Sequence, residues 1–152
     1  MGYTHILFPT DMSQPSLSAL GKAVELAQTF KAKLTLLHVV VSTASEHNVD
    51  WRDATKMWLG LADAQEIKDE KEALTTIAEN LVPDDVTRNV EVLYGDAPEE
   101  IVALAEDEDV DLIVMATHGW TGWRRLVLGS VTDAVRRAAP CAVLSVPRPT
   151  NS

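Results

Sequence analysis

Five short apolar runs, separated by longer stretches with helical periodicity, restrict what this chain can fold into. The runs are rich in Ile, Leu and Val; they are His5–Pro9, Lys33–Val41, Val90–Tyr94, Asp111–Met115 and Cys141–Val146. Runs of this kind are typical of strands that are covered on both faces. Strands that alternate with helices are joined by right-handed crossovers and pair in parallel. The sequence therefore predicts an α/β fold, with a five-stranded parallel sheet and helices on both faces.

The stretches between these runs have apolar residues at spacings of three and four, as amphipathic helices do. Four helices are predicted, at Pro15–Lys31, at Trp51–Leu81, after the expected N-cap Asp96 and at Gly129–Ala138. The first of them turns one apolar face inward, formed by Leu17, Leu20, Val24, Ala27 and Phe30. Gly60 is the point at which the second would break. Ser42–Asp50 has no clear period and is predicted to be a loop.

Length and charge narrow the classes of function. A chain of 152 residues suits one domain over residues 1–152, and its net charge of −10 argues against nucleic acid or an acidic membrane as the main partner. A small anionic ligand stays compatible with this charge, since backbone N–H groups bind anions inside acidic proteins. The sequence has one cysteine, Cys141, no secretion signal and no apolar run long enough to span a membrane. We therefore expect a cytoplasmic protein with no nucleic-acid and no membrane partner.

The segment from Ala116 to Ser130 is the most informative functional feature. It joins the fourth strand to the last helix and contains three glycines and two arginines. Glycines let a backbone approach phosphate oxygens, and the N–H groups at the start of the next helix favour an anion, with Ser130 and Thr132 as further donors. The P-loop and dinucleotide motifs, G-x-x-x-x-G-K-[ST] and G-x-G-x-x-G, are both absent. From the residues alone, a phosphate site and an ordinary turn before a capped helix both stay open.

The chain resembles the universal stress proteins in several motifs that occur in the same order. Nucleotide-binding members of that family carry G-x-x-G, nine residues and then G-[ST]; here Ala116-x-x-Gly119, nine residues and Gly129-Ser130 match at all but the first position. The other matching segments are Ile6-Leu7-Phe8-Pro9-Thr10-Asp11-x-Ser13, Leu36-Leu37-His38-Val39, Gly95-x-x-Pro98-x-x-Ile101, Asp111-Leu112-Ile113-Val114-Met115 and Gly129-Ser130-Val131-Thr132. The resemblance covers nearly the whole chain.

The resemblance implies a Rossmann-like three-layer sandwich with strand order 3-2-1-4-5 and a homodimer. It also implies ATP as the ligand, accompanied by Mg²⁺ or Mn²⁺, in a non-enzymatic regulatory or stress-response protein. Carried over position by position, the nucleotide-binding residues would be Pro9, Thr10, Asp11, Val39, Met115, Ala116, Thr117, His118, Gly119, Gly122, Gly129, Ser130, Val131 and Thr132. Among these, Val39 would contact adenine through its backbone. The uncharged last strand, Cys141–Val146, needs covering at the sheet edge, and pairing with its two-fold mate would do so.

Two alternatives remain at this stage. A weak ATP hydrolase or phosphoryl-transfer enzyme would need a positioned base and metal ligands, for which the sequence offers Asp11 and His118. A nucleotide-free interaction module of the same family is supported by Ala116 alone, which stands where the motif has glycine. Asp11 could equally cap the first helix. His38 is interpreted as a structural histidine, and Cys141 as a small hydrophobic residue.

Overall fold

The computed structural model describes residues 2–41, 54–116 and 128–147. Its strands are β1 (His5–Pro9), β2 (Lys33–Val41), β3 (Arg88–Gly95), β4 (Leu112–Ala116) and β5 (Ala142–Val146). Its helices are α1 (Gln14–Leu17), α2 (Leu20–Phe30), α3 (Ala54–Leu81), α4 (Ala97–Asp107) and α5 (Leu128–Ala138). None of the helices in these three ranges is long and apolar enough to cross a membrane.

The five strands form one parallel sheet in the order β3-β2-β1-β4-β5, which confirms the predicted fold class and strand order. Every residue of β1 and β4 is buried. Because successive side chains of a strand point to opposite faces, complete burial means that both faces of these central strands are covered. The edge strands β3 and β5 are only partly buried. The core therefore lies along the middle of the sheet, and the two edges are its exposed margins.

The first predicted helix is interrupted, so the prediction of one helix over Pro15–Lys31 is wrong. The chain forms α1 and α2 with a break at Ser18 and Ala19. The Ala19 N–H donates to the Ser16 carbonyl at 3.2 Å, a bond over three residues that tightens the turn and ends α1. Lys31 is the C-cap of α2, with φ of 56°, rather than a helical residue.

Helix α3 runs without a break through Gly60, contrary to the expected interruption. A glycine lowers helix stability but does not by itself end a helix, and the helix continues on both sides here. Its inward face includes Leu74 and Ala78, which are buried, whereas Leu81 at its end is 52% exposed and is not part of the core. The predicted loop Ser42–Asp50 and the predicted start at Trp51 lie outside the described residues.

The bounds of β1 and β2 are as predicted, and the remaining bounds differ from the predicted ones by one or two residues. Asp96 caps α4 as expected, since its carboxylate accepts a bond from the Glu99 N–H at 3.1 Å. Strand β3 is longer than predicted because it pairs with β2 along its whole length, from Leu34↔Arg88 to Val41↔Gly95. Apolar periodicity alone does not show such end residues, since pairing with a neighbouring strand decides them.

Candidate functional site

The sheet opens between β1 and β4, where the strand order reverses. The register between these strands consists of Ile6↔Leu112 and Leu7↔Ile113. Pro9 has no N–H, so it cannot donate to a further bond of this ladder. The paired register of the two strands ends at Leu7↔Ile113, before the carboxyl ends of both strands. In open parallel sheets, this crevice at the reversal of strand order is where ligands bind.

A tight turn follows β1 and carries two of the predicted site residues, Thr10 and Asp11. The Thr10 N–H donates to the Leu37 carbonyl at 2.8 Å, which is the last backbone bond between this segment and β2. The buried Thr10 hydroxyl lies 2.7 Å from Ser16 Oγ and accepts a bond from the Met12 N–H at 2.9 Å. Met12 has φ of 66°, an uncommon value for a side-chain-bearing residue. The turn is thus held in an unusual conformation by buried hydroxyl groups.

Asp11 is not the cap of the first helix, so that interpretation is wrong. The N-cap of α1 is Ser13, whose Oγ accepts a bond from the Ser16 N–H at 3.2 Å. The Asp11 carboxylate accepts a bond from the Ser13 N–H at 2.9 Å. Asp11 thus bonds to the N-cap residue and lies two residues before it. Asp11 is partly exposed at the carboxyl end of β1, on the side where a ligand would enter.

The backbone of Val39 faces the open side of the sheet. The Lys33 N–H donates to the Thr4 carbonyl and the Leu37 carbonyl accepts from Thr10, so both residues face β1. The Leu34 N–H instead donates to the Thr87 carbonyl, toward β3. In a parallel strand these directions alternate, so Val39 faces β1, as Lys33 and Leu37 do. The β1 register ends at Pro9↔Leu37, which leaves Val39 beyond the last paired residue of β1.

The second wall of the crevice is formed by the end of β4 and the start of α5. Met115, Ala116, Val131 and Thr132 are all buried there. The Thr132 hydroxyl donates to the Ala116 carbonyl at 3.3 Å and so connects the end of the strand to the helix. In this structure the Thr132 proton serves this internal bond, and its donation to a ligand stays a prediction.

Helix α5 begins at Leu128, one residue before the predicted start. Gly129 and Ser130 therefore belong to its first turn. The N–H groups of a first turn have no acceptor within the helix, and the helix dipole adds positive potential there. This end of α5 can therefore hold an anion at the crevice.

Ala116, which replaces the first glycine of the motif, is an ordinary strand residue. It pairs with Val146 of β5, and the described non-glycine residues with positive φ are Met12, Lys31 and Asp109. Glycine is required where φ is positive, and Ala116 has no such need. Backbone strain at Ala116 thus gives no support to the nucleotide-free alternative. The predicted residues Thr117, His118, Gly119 and Gly122 lie outside the described residues.

Two residues that complete this site were not predicted as part of it. Ser16 anchors the Thr10 hydroxyl, and a signal for it was the three-residue spacing of Ser13 and Ser16 before an apolar helix face. His38 is a hydrogen-bonded structural residue, as expected, but its partner is the Thr10 carbonyl of the site, 2.9 Å from Nδ1. Over the three described ranges, no group of three or more His, Cys, Asp and Glu side chains could hold a metal ion.

The sequence pattern of the universal stress protein family matches residues 2–147. The chain belongs to the universal stress protein family. A curated relative, universal stress protein MJ0577 of Methanocaldococcus jannaschii, is 38% identical over 160 residues, and the match covers 96% of both chains. The solved universal stress protein UspA of Lactobacillus plantarum has a TM-score of 0.72 at 29% identity, over 96% of this chain and 99% of that one.

Two further universal stress proteins with the same fold were solved with nucleotides. One is in complex with cAMP, with a TM-score of 0.65 and 21% identity over 98% of this chain and all of that one. The other, from Arabidopsis thaliana, has AMP bound, with a TM-score of 0.62 and 19% identity over 97% of this chain and 93% of that one. At these identities, the likeness establishes a shared fold.

Proposed function

We propose that this universal stress protein binds an adenine nucleotide, with ATP as its ligand, in the crevice between β1 and β4. The base would lie against the end of β2, and the phosphates would lie toward the first turn of α5. The bound state would regulate other proteins, and the chain would perform no chemistry on the nucleotide. The cAMP and AMP complexes of two relatives support the adenine nucleotide as the ligand class.

The backbone of Val39 is the observation that carries this proposal. By the alternation along β2, its N–H and C=O face the β1 side of the strand, beyond the last residue that β1 pairs. Adenine offers an N6–H₂ donor beside a ring-nitrogen acceptor, which complements one N–H and one C=O. Guanine has a carbonyl oxygen at the corresponding position and does not match. The site thus favours adenine over guanine through main-chain groups that any residue except proline would supply at position 39.

The phosphates would be held by N–H groups rather than by a dedicated metal site. The first turn of α5 supplies N–H groups that have no acceptor within the helix, together with the positive end of the helix dipole. Among the described residues, Asp11 is the one carboxylate of the predicted site, and one carboxylate does not hold a divalent ion alone. Mg²⁺ or Mn²⁺ would therefore be bound mainly through the phosphates, so affinity for ATP should depend more on the metal than affinity for AMP.

Binding should be measured on the full chain by equilibrium dialysis with labelled ATP, with and without Mg²⁺ and after EDTA. We expect saturable binding below millimolar ATP, competition by ADP and AMP, and weak competition by GTP. Native mass spectrometry of freshly purified protein would report a retained nucleotide directly. Absence of binding at millimolar ATP would overturn the proposal. Phosphate release above background, lost in Asp11→Asn while binding persists, would instead indicate a hydrolase.

We further propose that the chain is a homodimer that pairs through β5. This edge strand has no charged residue, and its Leu144 is 37% exposed. The opposite edge, β3, carries Arg88 and Glu91, charges of the kind that discourage edge-to-edge pairing. A two-fold axis beside β5 would cover the apolar edge with its own copy.

The dimer is tested by Leu144→Glu, which would bring two like charges together across the two-fold axis. Light scattering should show a dimeric mass for the wild type and a lower mass for the variant. Leu81→Glu is the matched control, because Leu81 is an exposed leucine at the end of α3. A dimer that persists in Leu144→Glu, or one lost in Leu81→Glu, would exclude β5 as the interface.

A further inference from the structure

The end of β1 does not continue its ladder with β2, although β2 extends further. In a continued parallel ladder, the Val39 N–H would donate to the Thr10 carbonyl, and the Val39 carbonyl would accept from the Met12 N–H. In this chain, both outer partners are engaged elsewhere. The Thr10 carbonyl lies 2.9 Å from His38 Nδ1, and the Met12 N–H donates to Thr10 Oγ1 at 2.9 Å. His38 Nδ1–H thus takes the place of the Val39 N–H, and Thr10 Oγ1 takes the place of the Val39 carbonyl.

The protonation of His38 follows from its partner. A carbonyl oxygen only accepts hydrogen bonds, so Nδ1 carries the proton and donates to Thr10. The other ring nitrogen, Nε2, lies 3.8 Å from Glu70 Oε2 of α3. The ring is 12% exposed and lies between the turn after β1 and helix α3. Its orientation toward Thr10 is therefore fixed by packing.

We infer that His38 and the Thr10 hydroxyl are positioning residues that keep the Val39 backbone available to an adenine base. His38 Nδ1–H holds the Thr10 carbonyl against its own ring, and the backbone bonds of the described residues include none from the Val39 N–H to that carbonyl. Thr10 Oγ1 occupies the Met12 N–H and keeps it from the Val39 carbonyl. This inference rests on the proposed function for its ligand, but the diversion of the two backbone bonds is a property of the protein alone.

The first test uses the nucleotide-free protein. The ¹⁵N chemical shifts of the His38 ring should show the Nδ1–H tautomer, and an Nε2–H tautomer would overturn the inference. In His38→Leu the Thr10 carbonyl loses its donor, and the Val39 amide should then bond to it. Val39 amide exchange should slow at least tenfold in His38→Leu, and it should stay at the wild-type rate in His38→Asn, whose amide nitrogen takes the place of Nδ1. Equal Val39 exchange in all three proteins would contradict the inference.

The second test measures base preference, which a purely structural role of His38 would not change. ATP affinity should fall about tenfold in His38→Leu while GTP affinity changes little, so that the ratio of the two falls. His38→Asn should keep the ratio within about threefold of the wild-type value, because it retains the donor to Thr10. An ATP-to-GTP ratio that is the same in His38→Leu and wild type would overturn the inference, as would failure of His38→Asn to restore it.

A second pair of variants keeps the test valid if His38→Leu does not fold. Thr10→Val removes the acceptor of the Met12 N–H, whereas Thr10→Ser retains a hydroxyl at the same place. The ATP-to-GTP ratio should fall in the valine variant and be restored in the serine variant. Failure of the proposed function has a separate signature. Wild type that binds no nucleotide overturns the proposed function, while the His38 tautomer and the Val39 exchange rates still decide this inference.

Discussion

The two ends of the sheet use their polar groups in opposite ways. At the amino end, Asp111 accepts bonds from the Thr4 N–H at 2.8 Å, the Thr4 hydroxyl at 3.0 Å and the His5 N–H at 3.0 Å. His5 in turn lies 2.7 Å from Thr35 Oγ1 and 3.2 Å from the Glu108 carbonyl. These contacts join three strands and the end of α4. At the carboxyl end, the side chains of His38 and Thr10 instead bond to the backbone groups that would pair with Val39 in a continued ladder.

The polar groups at the amino end of the sheet serve stability, and those at the carboxyl end are expected to serve binding. Polar groups that bond to one another across strands lower the free energy of the folded state and leave nothing for a ligand. Strand ends whose ladder bonds are diverted contribute less to stability, but they expose donors and acceptors in fixed positions. Substitutions at the amino end should therefore change the free energy of unfolding and not nucleotide affinity. Those at the carboxyl end should change mainly nucleotide affinity, with a smaller effect on unfolding.

Two pKa shifts mark the amino end as well. Partial burial acts to raise the pKa of Asp111, but the hydrogen bonds from Thr4 and His5 outweigh it and hold the pKa below its ordinary value of 3.8. Burial raises the pKa of the Cys141 thiol, and the nearby Asp111 charge raises it further. Cys141 lies directly before β5 and contacts the core, in agreement with a role as a small hydrophobic residue.

The largest expected effect is on stability, in Thr35→Val. The His5 Nδ1–H donates to the Glu108 carbonyl, so Nε2 accepts the Thr35 hydroxyl proton, and both side chains are buried. Removal of the hydroxyl leaves a buried acceptor unpaired, which should lower the free energy of unfolding by about 2 kcal/mol. Urea denaturation measures this, with exposed Thr29→Val as the control. A loss of ATP affinity in folded Thr35→Val would break the comparison between the two ends.

Asp111→Asn should lower stability by roughly 1 kcal/mol at neutral pH, an effect limited by the partial exposure of the carboxylate. A group whose pKa is lower in the folded state stabilises the protein above its unfolded pKa, and the effect is lost as the pH falls through the folded value. The difference from wild type should therefore shrink below about pH 4. Exposed Asp107→Asn is the control, and a difference that does not vary with pH would contradict this account of Asp111.

Ser16→Ala tests the carboxyl end. Two hydrogen bonds of Thr10 Oγ1 fix the turn, one with Ser16 Oγ and one from the Met12 N–H. Loss of Ser16 Oγ leaves the second of them. ATP affinity should fall about threefold, on the order of 0.7 kcal/mol, with a smaller loss of stability than in Thr35→Val. Ser18→Ala is the control, because the Ser18 hydroxyl donates to the Pro15 carbonyl within α1 rather than to the turn that carries Thr10. If ATP binds equally well to both variants, the turn does not contribute to the site.

The smallest expected effect concerns Cys141. A raised thiol pKa means less thiolate at neutral pH, and thiolate is the reacting form. Iodoacetamide should modify Cys141 a few times more slowly in the folded protein than in urea. Asp111→Asn should recover part of that rate by removing the negative charge. A folded rate equal to the unfolded rate would show that neither burial nor Asp111 acts on the thiol.

The strands β1 and β2 were predicted with their observed bounds because their apolar runs are uninterrupted and end at local signals. Proline closes β1, and the charged Lys33 opens β2. The errors occurred where local pattern and tertiary contacts differ. The apolar face that continues from Leu17 to Leu20 does not show the break between α1 and α2. Gly60 gave a local reason to expect a break in α3, but the helix continues through it. Site residues at strand ends were placed by motif, without their partners.

The sequence by itself determined the fold class, because apolar runs and helical spacing are local properties of the chain. It also placed Thr10, Asp11, Val39 and Ala116 at the ends of strands. Only the tertiary structure decided what those ends do. The availability of the Val39 backbone depends on the bond from the Thr10 N–H to the Leu37 carbonyl, and on the His38 side chain reaching the Thr10 carbonyl in the turn after β1. Such bonds join residues far apart in sequence, and no periodicity records them.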